Sequence, residues 1–174
     1  ATRPSNWCPL QPGYPARAAR LPGLRYIPDA SVALRWYLQE EYSETADSVR
    51  RRIVEEPALF AVPELFGCEV FSVLFRVHPR PWKTFQEGIL PLLQSGVLRY
   101  PLTEAVAQRA VRFAGLGLTG YDSMYAALAE ELGACWLTFD ARAHARIAPE
   151  GLSFDLNKGL PDSWAERNQP PTEG

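Results

Sequence analysis

The stretch Leu118–Asp140, LTGYDSMYAALAEELGACWLTFD, constrains the fold more than any other. Met124, Tyr125, Leu128, Ala129 and Leu132 recur at helical spacing, so its first half is a helix with a buried face. Thr119 is a good N-cap, Asp122 three residues on completes a capping-box pattern, and Gly133 is a natural C-cap. Ala134–Phe139 is then a short apolar run, the pattern of a buried strand. The run ends in Asp140, a charge at the end of a buried strand. In an open parallel sheet, ligands bind at the carboxyl ends of the strands. The placing of the other carboxylates therefore decides what the chain does.

The same alternation runs through the rest of the chain. Leu24–Pro28 reads as a short strand ended by Asp29, followed by a helix over Ser31–Glu40 and a second over Ser43–Glu55 with Arg50, Arg51 and Arg52 on its exposed side. Ala58–Val62 is the next strand, and a strongly apolar helix, Glu64–Val77, follows it. Trp82–Gln94 resumes as a helix with a bend expected at Pro91. Val97–Leu102 is a third strand, Thr103 caps another helix, and Leu152–Leu156 is a final strand. Pro28 cannot donate to a sheet ladder, which suits only the last residue of its strand. Strands that alternate with helices predict an α/β domain with a mostly parallel sheet covered on both faces.

Bulk properties narrow the class. The chain of 174 residues is long enough for one domain with a real core. We expect a flexible arm over 1–23, the folded domain over 24–156 and a polar, Pro-rich tail over 157–174. A net charge of -2 argues against nucleic-acid binding by overall charge alone, although the cations are 16 Arg and only 2 Lys. Cys8, Cys68 and Cys135 are far apart and form no CxxC pair, which disfavours zinc or redox chemistry. Cys68 and Cys135 lie in apolar surroundings and read as buried free thiols, as suits the cytoplasm. No segment has the apolar length of a membrane span, and residues 1–23 lack the apolar core of a secretory signal.

Four carboxylates stand out by context: Asp29 and Asp140 at strand ends, Glu69 inside an apolar helix, and Asp122 in a first helical turn. Parallel strands would bring Asp29 and Asp140 to one sheet edge, within reach of Glu69 and Asp122. Such a cluster repels itself, and a divalent cation with hard oxygen ligands, Mg²⁺ or Mn²⁺, relieves the repulsion. Each acid also has a structural explanation. Asp122 serves as a capping-box acid, Asp29 as the N-cap of the next helix and Asp140 as the cap of a following turn. Glu69 pairs with Arg76 or faces solvent.

In order along the chain stand Asp29-Ala30-Ser31-Val32-Ala33-Leu34, Pro63-x-Leu65-x-x-x-Glu69-Val70, Tyr121-Asp122-Ser123-Met124-Tyr125-x-x-Leu128-Ala129 and Leu137-Thr138-Phe139-Asp140. This series resembles the ordered motifs of PIN domains, most closely the VapC-type toxins of toxin–antitoxin pairs, over about Leu24–Leu156. The resemblance implies a three-layer α/β/α sandwich around a mostly parallel central sheet, usually as a homodimer. It implies a metal-dependent endoribonuclease, with Asp29, Glu69, Asp122 and Asp140 as the catalytic, metal-binding quartet. It also implies Mg²⁺ or Mn²⁺ as cofactor, an RNA substrate and a cognate antitoxin protein. Ser31 and Thr138 match positions where the family carries a hydroxyl that supports the carboxylates or a metal-bound water. Two positions depart from the pattern: Pro28 stands where an apolar residue is usual, and Ser72 where many relatives have Asn.

Arg142 and Arg146, just after Asp140, are the candidate RNA-binding residues, with His144 a weaker one; the alternative for all three is a solvated helix face. Trp36, Tyr37 and Trp82 are candidates for a dimer surface or for the core. Two other functions fit parts of the pattern. One is a catalytically silent module that binds RNA or a protein. The other is a haloacid-dehalogenase-type phosphatase, disfavoured because Ser31 stands where that chemistry needs a second aspartate.

Overall fold

The computed structural model describes residues 23–165; the remainder of the expected arm and tail lies outside the described residues. Among the described residues, five short strands form the centre: β1 (Tyr26–Pro28), β2 (Ala61–Pro63), β3 (Leu98–Tyr100), β4 (Cys135–Thr138) and β5 (Ser153–Asp155). β4 pairs in parallel with β1 and with β5, and β2 pairs in parallel with β3. A single parallel bridge, Tyr26 to Phe60, joins the two groups. The order is therefore β3-β2-β1-β4-β5, all parallel. The β1–β2 seam is thin for a reason written in the sequence. Tyr26 faces that neighbour, and Pro28, two residues on with the same parity, has no N–H to continue the ladder.

The helices are α1 (Ala30–Leu34), α2 (Glu44–Glu55), α3 (Leu65–Val77), α4 (Pro81–Thr84), α5 (Leu90–Gln94), α6 (Glu104–Gly115), α7 (Gly120–Leu132) and α8 (Ala141–Ile147). The chain moves outward from β1 through β2 to β3, then returns across β1 to β4 and on to β5. This reversal makes the carboxyl ends of β1 and β4 a topological switch point, and Asp29 and Asp140 stand at those two ends. The fold is the expected α/β sandwich, a parallel sheet with helices on both sides.

α7 is the central helix. Tyr125, Ala126, Ala127, Leu128, Ala129 and Leu132 are all buried, so most of its circumference faces protein. Runs of alanine let its backbone come close to β1, β2 and β4. Thr119 caps it as expected, and Gly133 ends it at φ 63°, a left-handed turn that costs glycine little. Ile27, Phe60, Phe66, Leu74, Phe113, Trp136 and Leu137 complete the core.

Tertiary contacts redraw several expected elements. The helix expected over Ser31–Glu40 ends at Leu34. Beyond it the Trp36 indole donates to the Ala46 carbonyl of α2 (2.8 Å), and Tyr37 lies where any side chain at Gly88 would collide with its ring. Both aromatics are half-buried. The helix expected over Trp82–Gln94 contains a π-helical turn, Phe85–Ile89, directly before Pro91. One extra residue in the turn accommodates the proline. Cys68 is exposed, not buried, because α3 turns it outward on the same side as Phe75. Arg52, expected on the exposed side of α2, is buried, donates to the Trp164 carbonyl and lies 4.7 Å from the Trp164 ring centre. Trp164 in turn packs 5.0 Å from Tyr26, so the chain beyond 156 continues against the domain through Ala165.

Candidate active site

Asp29 follows β1 and begins α1. Its Oδ1 accepts the Val32 N–H (3.3 Å), the ordinary N-cap bond, and the Ser31 hydroxyl (2.5 Å). Its Oδ2 accepts the Trp136 indole N–H at 3.1 Å. The nearby Thr138 hydroxyl also favours the charged form of this carboxyl. Asp29 is only 5% exposed, so capping alone leaves most of its environment unexplained. Burial pushes its pKa up, and the four donors pull part of that back.

Glu69 projects from α3, and its Oε2 accepts the Tyr125 hydroxyl of α7 at 2.7 Å. Its pKa is raised, first by burial, then further by the charges of Asp29 and Asp122; the Tyr125 hydroxyl opposes the rise. The mutual repulsion shows that Asp29, Glu69 and Asp122 share one electrostatic neighbourhood. Asp122 lies at the third position of α7, where its backbone N–H donates to the Thr119 hydroxyl (3.2 Å) and its Oδ2 accepts that hydroxyl's proton (2.6 Å). Among the described residues, none of these three acids forms an ion pair.

Asp140 behaves differently. Its Oδ1 accepts the N–H groups of Arg142 and Ala143, both at 2.9 Å, and so caps α8. It joins the other acids through its backbone, whose N–H donates to the Thr138 hydroxyl at 2.9 Å. Thus β4 links two acids through one threonine side chain. Ser31 makes a similar link, since its oxygen also accepts the Phe139 N–H at 3.0 Å.

Arg142 is exposed in the first turn of α8. Arg146 is also exposed and lays its guanidinium against Gly117 in the α6–α7 connection. His144 contacts the Ser153 hydroxyl (2.9 Å). Arg76, a candidate partner for Glu69, makes no ion pair with it. A groove of about 810 Å³, lined by residues such as Leu34, Val73 and Thr84, contains none of the four acids.

Trp136 and Tyr125 are the residues that sequence reasoning missed. Both read as core, one in an apolar strand and one on the buried stripe of a helix. Their polar tips were the available signal, because a buried indole N–H or phenol needs a partner.

Among the described residues, no three or more Asp, Glu, His or Cys side chains form a ready-made cage around one ion. The donor set still fits a hard divalent cation. Mg²⁺ is typically held by one or two carboxylates and keeps several waters. Asp29 and Glu69 supply two carboxylates, the charge of Asp29 raises the pKa of Glu69, and among the described residues neither forms an ion pair.

A parallel α/β sheet that gathers repelling carboxylates at its switch point defines a carboxylate-centred site of the kind that handles cations and phosphates. Residues 26–149 match the PIN domain family, and the chain belongs to it. PIN domains are typically nucleases and generally use divalent metals. Among solved structures, PAE2754 from Pyrobaculum aerophilum is similar, with a TM-score of 0.52 at 23% identity over 71% of this chain and 86% of its own. FitAcB from Neisseria gonorrhoeae is similar with a TM-score of 0.55 at 16% identity, over 71% and 93% respectively. At these identities the likeness is one of fold. No curated protein sequence matches the chain.

Proposed function

We propose that this protein is a metal-dependent endoribonuclease of the VapC type, the toxin of a toxin–antitoxin pair. The observation that carries the reading is the Asp29–Glu69–Asp122 neighbourhood at the switch-point edge: the charges of Asp29 and Asp122 both act on Glu69, and among the described residues none of the three forms an ion pair. Two other acids are buried among the described residues, and each has its own partner: Asp155 accepts the Asn157 backbone N–H (3.0 Å) and side-chain amide (2.6 Å), and Glu131 is paired with an arginine. Glu131, 6% exposed, is held by Arg109 at 3.0 Å.

In this reading Asp29 and Glu69 would hold Mg²⁺ or Mn²⁺, and Asp122 and Asp140 would complete the catalytic set. When bound, the ion activates water and neutralises charge on the scissile phosphate. Ser31 and Thr138 keep the Asp29 carboxyl oriented, each also tied to the backbone that follows β4. Arg142 and Arg146 offer phosphate contacts beside Asp140, which suits a chain whose overall charge of -2 does not attract RNA. A cytoplasmic location, a cognate antitoxin and a homodimer belong to the same proposal. The exposed aromatics Phe75 and Trp82 on α3 and α4 offer apolar surface for a second copy. Among the described residues, no helix is long and apolar enough to cross a membrane.

The test is cleavage of a structured RNA pool with Mn²⁺, Mg²⁺ or EDTA by the wild type and Asp29→Asn. Cleavage that needs both the metal and Asp29 is the expected result. Metal-dependent cleavage that survives Asp29→Asn in a clean preparation would refute the assignment. No cleavage with any metal by the folded protein would favour the silent binding module.

A further inference from the structure

Asp29 and Glu69 come from different elements, the end of β1 and the middle of α3, and their charges oppose one another. Each also accepts a hydrogen bond from an aromatic side chain of a third element. The Trp136 indole, fully buried on β4, donates to Asp29 Oδ2 at 3.1 Å. The Tyr125 phenol, 1% exposed on α7, donates to Glu69 Oε2 at 2.7 Å. The two rings are stacked on each other, 13° from parallel with centres 6.1 Å apart. One member of this aromatic pair locked in the core therefore holds Asp29 Oδ2, while Ser31 and Val32 hold Oδ1, and the other member makes the one hydrogen bond that Glu69 accepts among the described residues. A phenol and an indole have few rotatable bonds, and these have no room to turn.

The chemistry of the donors also matters. Both are neutral, so they orient the carboxylates without cancelling the charge that a cation needs. An arginine or lysine in either place would compete with the ion. A carboxylate oxygen has about two lone-pair directions. Asp29 Oδ1 already accepts from Ser31 and Val32, whereas Glu69 Oε1 accepts no hydrogen bond from the described residues.

We propose that Trp136 and Tyr125 act as a stacked pair of positioning residues, which set the separation and orientation of Asp29 and Glu69 for one shared divalent cation. The proposal rests on the metal-dependent reading above, and it concerns residues that have no charge and need not touch the substrate.

The test uses the full chain and Mn²⁺ alone as probe, by titration calorimetry and by the electron paramagnetic resonance signal of free Mn²⁺. Trp136→Phe removes the indole N–H, and Tyr125→Phe removes one oxygen and no ring atom. Each is expected to weaken Mn²⁺ binding by about ten- to a hundredfold, the usual cost of removing a partner that orients a metal ligand. The double variant should lose less than the product of the two, since both act on one ion. In RNA cleavage, the half-saturating Mn²⁺ concentration should rise while the rate at saturating Mn²⁺ stays close to wild type. Ile53→Ala, a core truncation in α2, controls for loosening of the fold and should leave Mn²⁺ affinity unchanged.

Folded Trp136→Phe and Tyr125→Phe proteins that bind Mn²⁺ as the wild type does, while Asp29→Asn abolishes binding, would overturn the proposal and leave the metal reading standing. If Trp136→Phe does not fold, Tyr125→Phe decides alone. Mn²⁺ binding that is absent in the wild type, or indifferent to Asp29→Asn, would overturn both.

Discussion

Ser31→Ala is the substitution whose cost the geometry defines best. The Ser31 hydroxyl donates to Asp29 Oδ1 at 2.5 Å and its oxygen accepts the Phe139 N–H at 3.0 Å. A hydrogen bond to a charged acceptor contributes about 1.5–3 kcal/mol, and a buried backbone N–H left without a partner costs about 1–3 kcal/mol. Ser31 is half-buried, so water replaces part of the loss. The net destabilisation is then about 2–3 kcal/mol at neutral pH, or roughly 5–10 °C in Tm for a chain of this size. Its pH dependence has a definite sign. Asp29 is raised above its ordinary 3.8 by burial, and the Ser31 donor opposes that rise. A carboxyl with a raised folded pKa contributes stability that is complete below the unfolded value and lost as pH climbs through the folded value. Without Ser31 the folded value rises further, so the variant loses more over the same climb. Urea unfolding in EDTA should show the full deficit at pH 7. By about pH 4 it should shrink to about 1 kcal/mol, the part belonging to Phe139. A deficit that is constant with pH, or larger in acid, would refute the assignment of Ser31 as a donor to ionised Asp29.

Two further outcomes follow from the same site. Glu69→Gln keeps an acceptor for Tyr125 and removes a charge that burial, Asp29 and Asp122 all oppose. It should stabilise the metal-free protein at neutral pH by about 0.5–1 kcal/mol, given the solvent screening of a half-buried group. Because the Glu69 pKa is raised, that gain should fade as pH falls through the raised folded value and be gone below the ordinary 4.5, which thermal unfolding in EDTA across pH would check. Arg142→Ala should weaken RNA binding about equally across sequences. It should also flatten the dependence of log affinity on log salt by about 0.7, the single-strand value for one phosphate contact; an unchanged slope would remove Arg142 from the interface.

Local chemistry was legible in the sequence wherever neighbours in the chain decide the outcome. Thr103 and Thr119 cap helices because a hydroxyl one residue before a helix meets its free N–H groups, whatever lies around it. Gly133 ends α7 for an equally local reason, its tolerance of positive φ. The ordered acidic motifs anticipated the sheet edge on which Asp29 and Asp140 lie, since a parallel α/β order leaves few topologies open. α1 was harder: Ser31–Glu40 has helical periodicity, but Trp36 finds its partner on α2 and Tyr37 packs beside Gly88. Those contacts outweigh a weak local preference. Cys68 and Arg52 were misplaced because helical periodicity alone does not say which arc faces protein.

The sequence by itself determined the alternation of strands and helices, the caps, and the carboxylates that belong to no ordinary polar face. Each of these depends on a few adjacent residues. Only the tertiary structure decided which acids share a field and which groups hold them. Trp136 and Asp29 are 107 positions apart, and Tyr125 and Glu69 are 56 apart. Both bonds exist because α7 and β4 pack beside β1 and α3, which brings two apparently hydrophobic residues to bear on two charged ones.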